Sequence, residues 1–381
     1  MKKNKKLLIL VNYLSFFLSH RLPIAEASLA KGYDVFIGYG ELRGADPKLL
    51  EQRGFKVNFI PIQPGGINLL KDLKTLYYIW NFFKKVKPDI VHLVTIKPYL
   101  YGGIISRLIG VPSLVSAVSG LGTLFIGKNL KSRLLRILLY PIYKFAFNHL
   151  NQKVIIQNED DLNVLVNWGV LNPLKVKILK GSGVKLESFT NLNEPDGTPR
   201  VCFAARLLRD KGVYEFVSAA RLIKERGIHA RFFLAGDLDS NNPTGLNLDD
   251  LDKLEEEGHV EILGFHKDIP SLYASSNIIC LPSYREGLPK ALIEAAAAGR
   301  AVVTTDVPGC RDAIIPNKTG LLVPAKDSQK LANALQWLIQ HPQERIAMGK
   351  AGRKFSESEF PIDKIVQNHL DIYQDLLSNN L

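Results

Sequence analysis

Cysteine is scarce in this chain of 381 residues. Its three cysteines, Cys202, Cys280 and Cys310, lie far apart in the sequence and form no Cys-x-x-Cys pair or Cys/His cluster. Small disulfide-stabilised folds and structural zinc sites need closely spaced ligands, so the sequence predicts neither. This usage fits a reducing, cytoplasmic compartment, and we expect no metal site.

Long apolar runs are missing as well. No segment reaches the ~18 uninterrupted apolar residues that a membrane-spanning helix needs. Four lysines followed by the apolar residues 7–11 imitate a signal peptide, but Asn12, Ser15, His20 and Arg21 interrupt the apolar stretch. We therefore interpret residues 7–11 as the first buried strand of a parallel sheet.

Carboxylates are absent from residues 90–158, a segment that contains eight lysines and arginines. Residues 1–185 carry 27 Lys and Arg against 10 Asp and Glu, a net charge of +17, and the remainder carries 22 against 27, a net charge of −5. Charge of one sign on one half suggests an anionic partner for that half. Nucleic acid, a membrane surface and a phosphorylated substrate all qualify.

The length of the chain exceeds what one hydrophobic core usually serves, so we expect two domains. Short apolar runs alternate with helical patterns in both halves, which predicts α/β domains with doubly wound parallel sheets. The predicted strands are residues 7–11, 35–38, 57–62, 90–94, 113–118 and 154–157, and then 201–205, 232–235, 260–263, 278–281, 301–305 and 321–323. The clearest predicted helices are residues 69–85, 130–150, 327–340, 342–355 and 361–377.

Polar, turn-forming residues at 187–199 predict the linker between the domains. The N-terminal domain is then 1–186 and the C-terminal domain 200–358. We expect residues 359–381 to form a helix that packs back on the N-terminal domain. Ligands of doubly wound sheets bind beyond the carboxyl ends of the strands, which assigns residues 12–15, 95–98 and 119–123 to the functional rim of the first domain.

Residues 282–309 combine a strand end, a sharp loop, a helix near 291–298 and a further strand. We expect Pro289 at the first helical position, where its fixed φ fits. A helix N-terminus is a natural site for a diphosphate. Glu286 precedes this helix and Glu294 lies inside it, and carboxylates at such a place suit the hydroxyl groups of a sugar. Spacing alone equally allows a loop residue and a solvated helix residue.

Two cations leave the first predicted strand of the second domain. Arg206 and Lys211 lie between that strand and a helix that starts near Val213. Together they can neutralise a diphosphate leaving group without a metal. The alternative is a surface pair in a strand-to-helix loop, which is the more common situation for Arg and Lys.

Three other patterns are interpreted as structural. Asp237-Leu238-Asp239 imitates the metal-binding Asp-x-Asp of some transferases, but it follows a strand that already fits a Gly-Asp loop. Gly120-Leu121-Gly122 lacks the third glycine and the following acidic residue of a dinucleotide-binding fingerprint. His92, in an apolar run, is more typical of a packed core residue than of a catalyst.

The motifs in combination resemble a known family. The C-terminal half contains ARLLRDKG (205–212), LAGD (234–237), LGF (263–265), PSYREGLPKALIEAAAAG (282–299), TTDVPG (304–309) and TGLLV (319–323). Their order and spacing are similar to those of the family-4 retaining glycosyltransferases of the GT-B fold. FFLSHRLPIA (16–25), KPDIVHLVTIKP (87–98) and SGLGTLF (119–125) in the N-terminal half resemble bacterial enzymes that extend undecaprenyl-diphosphate-linked sugars, such as N-acetylgalactosaminyltransferases of glycan assembly.

The resemblance implies a GT-B architecture of two Rossmann-like domains facing across a cleft. It also implies catalytic roles for Arg206 and Lys211, which would hold the diphosphate of a UDP-sugar, and for Glu286, which would contact the donor sugar. Glu294 would bind the ribose. The remaining implied donor-binding residues are Gly287, Leu288 and Lys290 at the helix start, Gly264, Phe265 and His266 beside the uracil, and Gly120 and Gly122 close to the diphosphate. No cofactor is implied, because the UDP-sugar is the donor substrate.

The acceptor implied by the resemblance is a polyprenyl-diphosphate-linked sugar. Many relatives have a histidine after the fifth strand, at the place where this chain has Ser119. This difference argues against histidine assistance and fits the lipid-sugar subgroup. Ser119, His20, Arg21 and Lys97 are the predicted acceptor-binding residues. For His20 and Arg21, packing at a helix start is an equal alternative.

The segment from Lys128 to Lys153 is apolar, basic and free of acidic residues, and Pro141 is expected to kink it. Such a helix can lie on an anionic membrane. It can also be a core helix whose cations extend into solvent, and both can hold at once. We predict a retaining, metal-independent transferase, peripheral on the inner face of the cell membrane, with no nucleic-acid partner. The alternatives are a UDP-sugar 2-epimerase and a non-catalytic basic binding protein.

Overall fold

The computed structural model describes residues 4–63, 66, 68–122, 125, 130–190, 193–239 and 242–378. The chain forms two compact units. The first consists of Met1–Ser182 together with Asp363–Leu381, and the second of Gly183–Ile362. The predicted boundary at 186/187 lies four residues from the observed one at 182/183, and the predicted linker 187–199 belongs to the second unit.

A seven-stranded parallel sheet organises the described part of the first unit, with strand order β3-β2-β1-β4-β5-β6-β7. Its strands are β1 (Lys6–Tyr13), β2 (Asp34–Glu41), β3 (Lys56–Phe59), β4 (Ile90–Val94), β5 (Ser113–Val118), β6 (Gln152–Ile156) and β7 (Val176–Ile178). Its helices are α1 (Leu14–His20), α2 (Leu22–Ala30), α3 (Pro47–Gln52), α4 (Leu69–Val86), α5 (Gly103–Ile109), α6 (Leu130–Ala146) and α7 (Glu159–Asn167). The sequence missed β7, because its three residues are only partly apolar.

Both faces of this sheet are covered, which explains why β1 is a continuous apolar run. Successive side chains of a strand point to opposite faces. Leu8 and Leu10 accordingly pack with α4 and α6, whereas Leu7, Ile9 and Val11 pack with α1 and α2. The apolar pattern in the sequence therefore fixes a three-layer α/β domain.

The last helix of the chain covers part of the second face. This helix, α14 in the numbering completed below, spans Ile362–Ser378. Ile372, Tyr373 and Leu376 are buried in the same core cluster as β1. The hydroxyl of Tyr373 lies 2.6 Å from Nδ1 of His92 on β4. The C-terminal helix is thus part of the first unit, and His92 is a packed core residue.

The described part of the second unit contains a six-stranded parallel sheet of order β10-β9-β8-β11-β12-β13. Its strands are β8 (Arg200–Ala204), β9 (Arg231–Ala235), β10 (Glu261–Gly264), β11 (Ile278–Leu281), β12 (Ala301–Thr305) and β13 (Gly320–Val323). Its helices are α8 (Val213–Glu225), α9 (Leu248–Glu257), α10 (Ile269–Ala274), α11 (Lys290–Ala297), α12 (Ser328–Gln340) and α13 (Pro342–Glu359). The predicted α/β class with two Rossmann-like parallel sheets is confirmed.

Helix bounds differ from the predictions at their ends. Helix α6 ends at Ala146 rather than at residue 150, and Pro141 lies inside it. Helix α13 continues to Glu359. No helix within the described ranges is both long and apolar enough to cross a membrane.

Candidate functional site

The loop after β8 carries Arg206 and Lys211 to the carboxyl edge of the second sheet. Gly212 ends this loop with a φ of +78°. A Cβ on Gly212 would overlap the carbonyl oxygen of Pro282, so only glycine permits the approach of the two loops. The carbonyl oxygen of Asp210 also accepts the Tyr284 N–H at 2.8 Å. The loops after β8 and β11 are thereby held together.

Lys211 and Glu286 meet where these loops touch. The ammonium of Lys211 donates to Oε1 of Glu286, and their side chains are only 18% and 11% exposed. The hydroxyl of Ser283 lies 2.7 Å from the same oxygen. A cation and a carboxylate in this geometry present a hydrogen-bond donor and an acceptor at one small, half-buried place. The structure therefore brings together two of the three predicted catalytic side chains.

The Glu286 loop is itself supported from β12. The Glu286 N–H donates to the carbonyl oxygen of Pro308 at 3.1 Å. Gly309, with a φ of +79°, lies so close to the carbonyl oxygens of Glu286 and Gly287 that a Cβ would overlap both. The glycine of the TTDVPG motif is therefore required by the backbone that positions Glu286.

Arg206 has a different carboxylate partner. Its Nη1 donates to Oδ2 of Asp239 at 2.8 Å. The Arg206 side chain is 46% exposed, whereas Asp239 is buried. The guanidinium is held at one end and remains accessible at the other. The sequence analysis interprets Asp239 only as part of a pattern that imitates a metal site, and it does not predict the contact with Arg206.

Helix α11 follows the Glu286 loop. It begins at Lys290, and Pro289 is the capping residue before it, with ψ of 123°. The expectation that Pro289 is the first helical residue is wrong by one position. Its extended ψ turns the chain sharply into the helix, while the first-turn N–H groups still lack helical acceptors. Gly287, Leu288 and Lys290 lie around this helix start, with Leu288 buried.

Glu294 lies one turn inside α11. Its Oε1 is 3.3 Å from Nζ of Lys290, and its side chain is 15% exposed. Burial raises the pKa of the Glu294 carboxyl above its usual range, and Lys290 opposes part of that rise. A buried carboxylate of this kind is stabilised when hydroxyl groups donate to it.

The uracil-binding prediction falls on the end of β10. Gly264 has a φ of +64°, and its carbonyl oxygen accepts the Gly236 N–H at 2.8 Å. Phe265, the next residue, is 61% exposed. His266 follows and lines a depression with Leu263 and Ser271. An exposed aromatic ring at a strand end is a suitable surface for a flat base.

The predicted rim of the first unit contains Gly120 and Gly122 after β5. Both have positive φ, +118° and +66°. The buried Oγ of Ser119 has no hydrogen-bond partner among the described atoms. Thr123, the last residue of the predicted rim segment, lies outside the described residues.

The other predicted acceptor-binding residues are largely enclosed. Nζ of Lys97 lies 2.7 Å from Oδ1 of Asp72, and both side chains are 11% exposed. His20 is half-buried, with its ring stacked on Phe16. Arg21 is only 2% exposed and donates to the His20 carbonyl oxygen at 2.9 Å. Desolvation lowers the pKa of Arg21 to about 10. In this structure Arg21 presents almost no surface to a ligand.

Two helices of the first unit carry exposed apolar side chains among cations. On α6 these are Leu130, Leu134, Ile137 and Leu138, which share one helical face. Lys128 of the predicted membrane segment lies outside the described residues. Helix α4, for which the sequence analysis predicts no membrane contact, presents a second such face. Its exposed apolar residues are Leu69, Leu70, Leu73, Tyr77 and Tyr78, with Lys71 and Lys74 between them.

The part of the chain that the structure describes contains no cluster of side chains suited to bind a metal. No group of three or more His, Cys, Asp or Glu side chains there is placed to hold an ion. Asp239 of the Asp-Leu-Asp pattern is instead engaged by Arg206.

Comparison with known protein families matches each half of the chain. The model described as "Glycosyl transferase 4-like" matches residues 6–158. The model described as "Glycosyl transferases group 1" matches residues 184–355. The second range contains Arg206, Lys211, Glu286 and Glu294.

Two curated relatives are similar over most of this chain. The N,N'-diacetylbacillosaminyl-diphospho-undecaprenol alpha-1,3-N-acetylgalactosaminyltransferase of Campylobacter jejuni is 28% identical, with 95% of this chain and 99% of that protein covered. The UDP-Gal:alpha-D-GlcNAc-diphosphoundecaprenol alpha-1,3-galactosyltransferase of Escherichia coli is also 28% identical, with 84% of each covered.

Solved structures share the fold at lower identity. Sucrose-phosphate synthase from Thermosynechococcus elongatus superposes with a TM-score of 0.79 at 21% identity, covering 99% of this chain and 100% of that one. Anabaena HepE in complex with UDP-glucose gives a TM-score of 0.76 at 20% identity, with 98% and 99% covered. At these identities the likeness shows the fold alone, and the predicted GT-B fold is confirmed.

Proposed function

The chain is a glycosyltransferase of the GT-B fold, with a glycosyl transferase 4-like domain before a group 1 domain, and from this premise we propose its reaction. It transfers an N-acetylhexosamine, such as N-acetylgalactosamine, from a UDP-sugar to an undecaprenyl-diphosphate-linked saccharide. The anomeric configuration is retained. The product is an intermediate of a bacterial surface polysaccharide or of a protein-linked glycan.

One observation carries the substrate assignment. The similarity to a Campylobacter transferase that acts on an undecaprenol diphosphate sugar extends over 95% of this chain and 99% of that protein. A similarity restricted to the second half would support only the use of a nucleotide sugar. Because it includes the first half, it supports the lipid-linked acceptor as well.

For the donor, we propose that Arg206 and Lys211 bind the diphosphate, because both cations end at the same sheet edge. Glu286 contacts the hexose and Glu294 the ribose. The residues proposed around them are Gly287, Leu288 and Lys290 at the start of α11, Gly264, Phe265 and His266 at the uracil, and Gly120 and Gly122 near the phosphates. No metal takes part in this scheme.

The chemistry proposed is a front-face substitution. The acceptor hydroxyl attacks the anomeric carbon on the face from which UDP leaves, the bond from that carbon to the β-phosphate oxygen breaks, and a phosphate oxygen takes the hydroxyl proton. Lys211 and Arg206 stabilise the charge that develops on the departing diphosphate. Glu286 already accepts from Lys211, which leaves it better suited to hydrogen bonding than to covalent attack.

For the acceptor, we propose Ser119, His20, Lys97 and Arg21 as candidates in the first unit. The buried Oγ of Ser119, without a described partner, is the strongest of these, because a bound hydroxyl or phosphate would satisfy it. The burial of Arg21 and the pairing of Lys97 with Asp72 make their contribution indirect.

For the location, we propose peripheral binding to the inner face of the cell membrane. Helix α6, which lies within the predicted membrane segment from Lys128 to Lys153, carries exposed leucines among cations, and so does α4. Such faces fit an anionic leaflet. A polyprenyl acceptor stays in the bilayer, since burial of each CH₂ is worth about 0.8 kcal/mol. A membrane partner therefore suits the substrate better than nucleic acid does.

A donor and acceptor panel tests the proposal. The purified chain is incubated with labelled UDP-GalNAc, UDP-GlcNAc, UDP-galactose or UDP-glucose, with and without undecaprenyl-diphosphate sugars in detergent. We expect a labelled lipid that forms only when both substrates are present. A new UDP-sugar formed without acceptor would indicate a 2-epimerase, and transfer only to a soluble sugar would overturn the lipid-linked acceptor.

A further inference from the structure

The two aspartates of the Asp237-Leu238-Asp239 pattern have different environments. Asp237 is exposed, whereas Asp239 is 3% exposed. Oδ2 of Asp239 accepts from Nη1 of Arg206 at 2.8 Å. A motif that imitates a metal site therefore contains one solvent-facing carboxylate and one that holds an arginine.

The backbone fixes Asp239 from both sides. The Leu207 N–H donates to the Asp237 carbonyl oxygen at 2.9 Å, and the Leu246 N–H donates to the Leu207 carbonyl oxygen at 3.0 Å. The Arg209 N–H donates to the Thr244 carbonyl oxygen at 2.8 Å. The loop after β9 is thus paired with the loop after β8, with bridges at Leu207–Leu238 and Leu208–Gly245. Asp239 has little freedom to move away from Arg206.

Arg206 does not have that rigidity by itself. Its side chain is 46% exposed, and a long exposed side chain samples many rotamers. A guanidinium has five N–H donors in a planar fork, so one end can bind a carboxylate while the other stays available to a phosphate. Fixing one end before the ligand arrives lowers the entropy lost on binding.

We infer that Asp239 is a positioning residue, which aims the free edge of Arg206 at the diphosphate of the nucleotide. This rests on the proposed function, in which Arg206 binds that diphosphate. Asp239 does not itself contact the ligand in this scheme. The opposite possibility is competition, in which the carboxylate and the diphosphate exclude each other on Arg206. The two differ in sign, because removal of a competitor would tighten binding.

Calorimetric titration of the full chain with UDP and with uridine distinguishes positioning of Arg206 by Asp239 from competition for Arg206. Arg206→Ala is expected to weaken UDP binding by about 10- to 30-fold. Asp239→Asn keeps the shape and an acceptor oxygen, and is expected to weaken UDP binding by about fivefold, because the guanidinium then donates to a neutral amide instead of a carboxylate. Uridine, which lacks phosphates, is expected to bind equally well to all variants. Asp237→Asn on the same loop is the matched control and leaves UDP affinity unchanged.

The double variant Arg206→Ala with Asp239→Asn makes the test specific. If Asp239 acts through Arg206, the second substitution adds less than twofold to the first. An undiminished effect in that background, an equal loss of uridine affinity, or a gain of UDP affinity in Asp239→Asn would each overturn the inference. If Asp239→Asn unfolds early, Asp239→Glu is the variant to use, because it retains the charge. It is expected to recover part of the lost UDP affinity.

Failure of the proposed function has a separate signature. If the unmodified chain binds UDP and Arg206→Ala weakens that binding, the donor site stands whatever Asp239 does. If the unmodified chain binds no UDP, the proposed function fails, and the positioning role fails with it.

Discussion

The ammonium of Lys211 donates a hydrogen bond to Oε1 of Glu286, which lies 75 positions further along the chain. The pair joins the loop after β8 to the loop after β11, and both side chains are mostly buried. A charge pair at a strand edge, next to a helix start, is suited to bind an anion that carries hydroxyl groups. The contact places the proposed diphosphate cation and the proposed sugar-binding carboxylate within one hydrogen bond of each other.

Lys211→Ala is expected to lower kcat/KM for sugar transfer by about 10²- to 10³-fold, because one preorganised donor to the leaving group is lost. The measurement is transfer of labelled sugar at subsaturating donor. Lys224→Ala, on the exposed side of α8, is the matched control. Since the substitution also leaves Glu286 without its cation, thermal unfolding is measured in parallel. A folded Lys211→Ala chain with normal kcat/KM would contradict the role.

Glu286→Gln tests whether Glu286 contacts the hexose of the donor rather than its nucleotide. We expect kcat to fall by about 10- to 150-fold, since a charged hydrogen bond to the donor sugar contributes roughly 1.5–3 kcal/mol. UDP affinity should fall much less than kcat, because UDP carries no hexose. Equal losses in both quantities would place Glu286 on the diphosphate instead. Mass spectrometry during turnover is the companion measurement, and a sugar covalently bound to Glu286 would contradict the front-face mechanism.

Glu294→Gln tests the ribose contact. The unmodified chain is expected to bind UDP about 10-fold or more tightly than 3′-deoxy-UDP, a ratio set by a hydroxyl that donates to a carboxylate. The variant should lose most of that preference. Burial raises the pKa of Glu294, so the carboxylate protonates at a higher pH than usual. Because the ionised form accepts the hydroxyl, the preference should be full above that pKa and decline as pH falls through it.

In Glu294→Gln the same pH series should be flat. A preference for UDP that persists in the variant would assign the ribose to another residue.

Membrane binding is expected to depend on α6. Arg133 is exposed on this helix beside Leu134 and Ile137, and Arg136 lies one turn further along. Reversing both charges, Arg133→Glu with Arg136→Glu, should weaken binding to phosphatidylglycerol vesicles by at least tenfold, since each basic residue near an anionic surface contributes about 1 kcal/mol. Co-sedimentation measures this.

The control reverses two exposed lysines of the second unit, Lys253→Glu and Lys330→Glu, which changes the net charge equally. Equal loss in both double variants would mean that only overall charge matters. Unchanged binding in the α6 variant would remove this helix from the membrane surface.

A buried histidine pair, formed by His92 of β4 and His369 of α14, should make the first unit acid-sensitive. His92 and His369 lie 5.6 Å apart between ring centroids, near Arg21 and Tyr373. Desolvation, with Arg21 nearby, lowers the pKa of His369 to about 3 and that of His92 well below 6.5. Their folded-state pKa values are depressed, so their contribution is full above about pH 6.5 and is lost as pH falls toward the folded values.

His369→Asn keeps an N–H for the Ile365 carbonyl oxygen and removes one titrating group. Urea unfolding between pH 4 and 7 should show a slope smaller than that of the unmodified chain by up to about 1.4 kcal/mol per pH unit. Identical slopes would mean that His369 takes up its proton over the same pH range in the folded and the unfolded chain, and would contradict the depressed pKa.

Much of the fold was predictable because its signal is local. Buried parallel strands such as β1, β4 and β5 are continuous apolar runs, and each helix between them has its own period. Strand β7 was not predicted, because Val176–Ile178 is a short edge strand with an exposed lysine at its centre and lacks a continuous apolar run. The cap position of Pro289 was missed by one residue, since proline's φ fits the capping residue as well as the first helical one.

The partnerships within the site were less predictable. Strand ends and motif spacing were enough to single out Arg206, Lys211, Glu286 and Glu294, but not to predict which side chains they contact. Nothing in the sequence joins Arg206 to Asp239, because the contact needs two loops paired edge to edge. The requirement for glycine at positions 212 and 309 is likewise visible only in the structure, because it comes from the carbonyl oxygens that lie against Gly212 and Gly309.

One measurement tests the central claim most directly. Undecaprenyl-diphosphate N-acetylhexosamine acceptors are incubated with labelled UDP-GalNAc and either the unmodified chain or Lys211→Ala, and the lipid fraction is analysed by mass spectrometry and NMR. The account predicts an acceptor extended by one α-linked sugar with the unmodified chain, and at least 100-fold less with the variant. A β-linked product, or no lipid-linked product from any UDP-sugar with a folded chain, would contradict it.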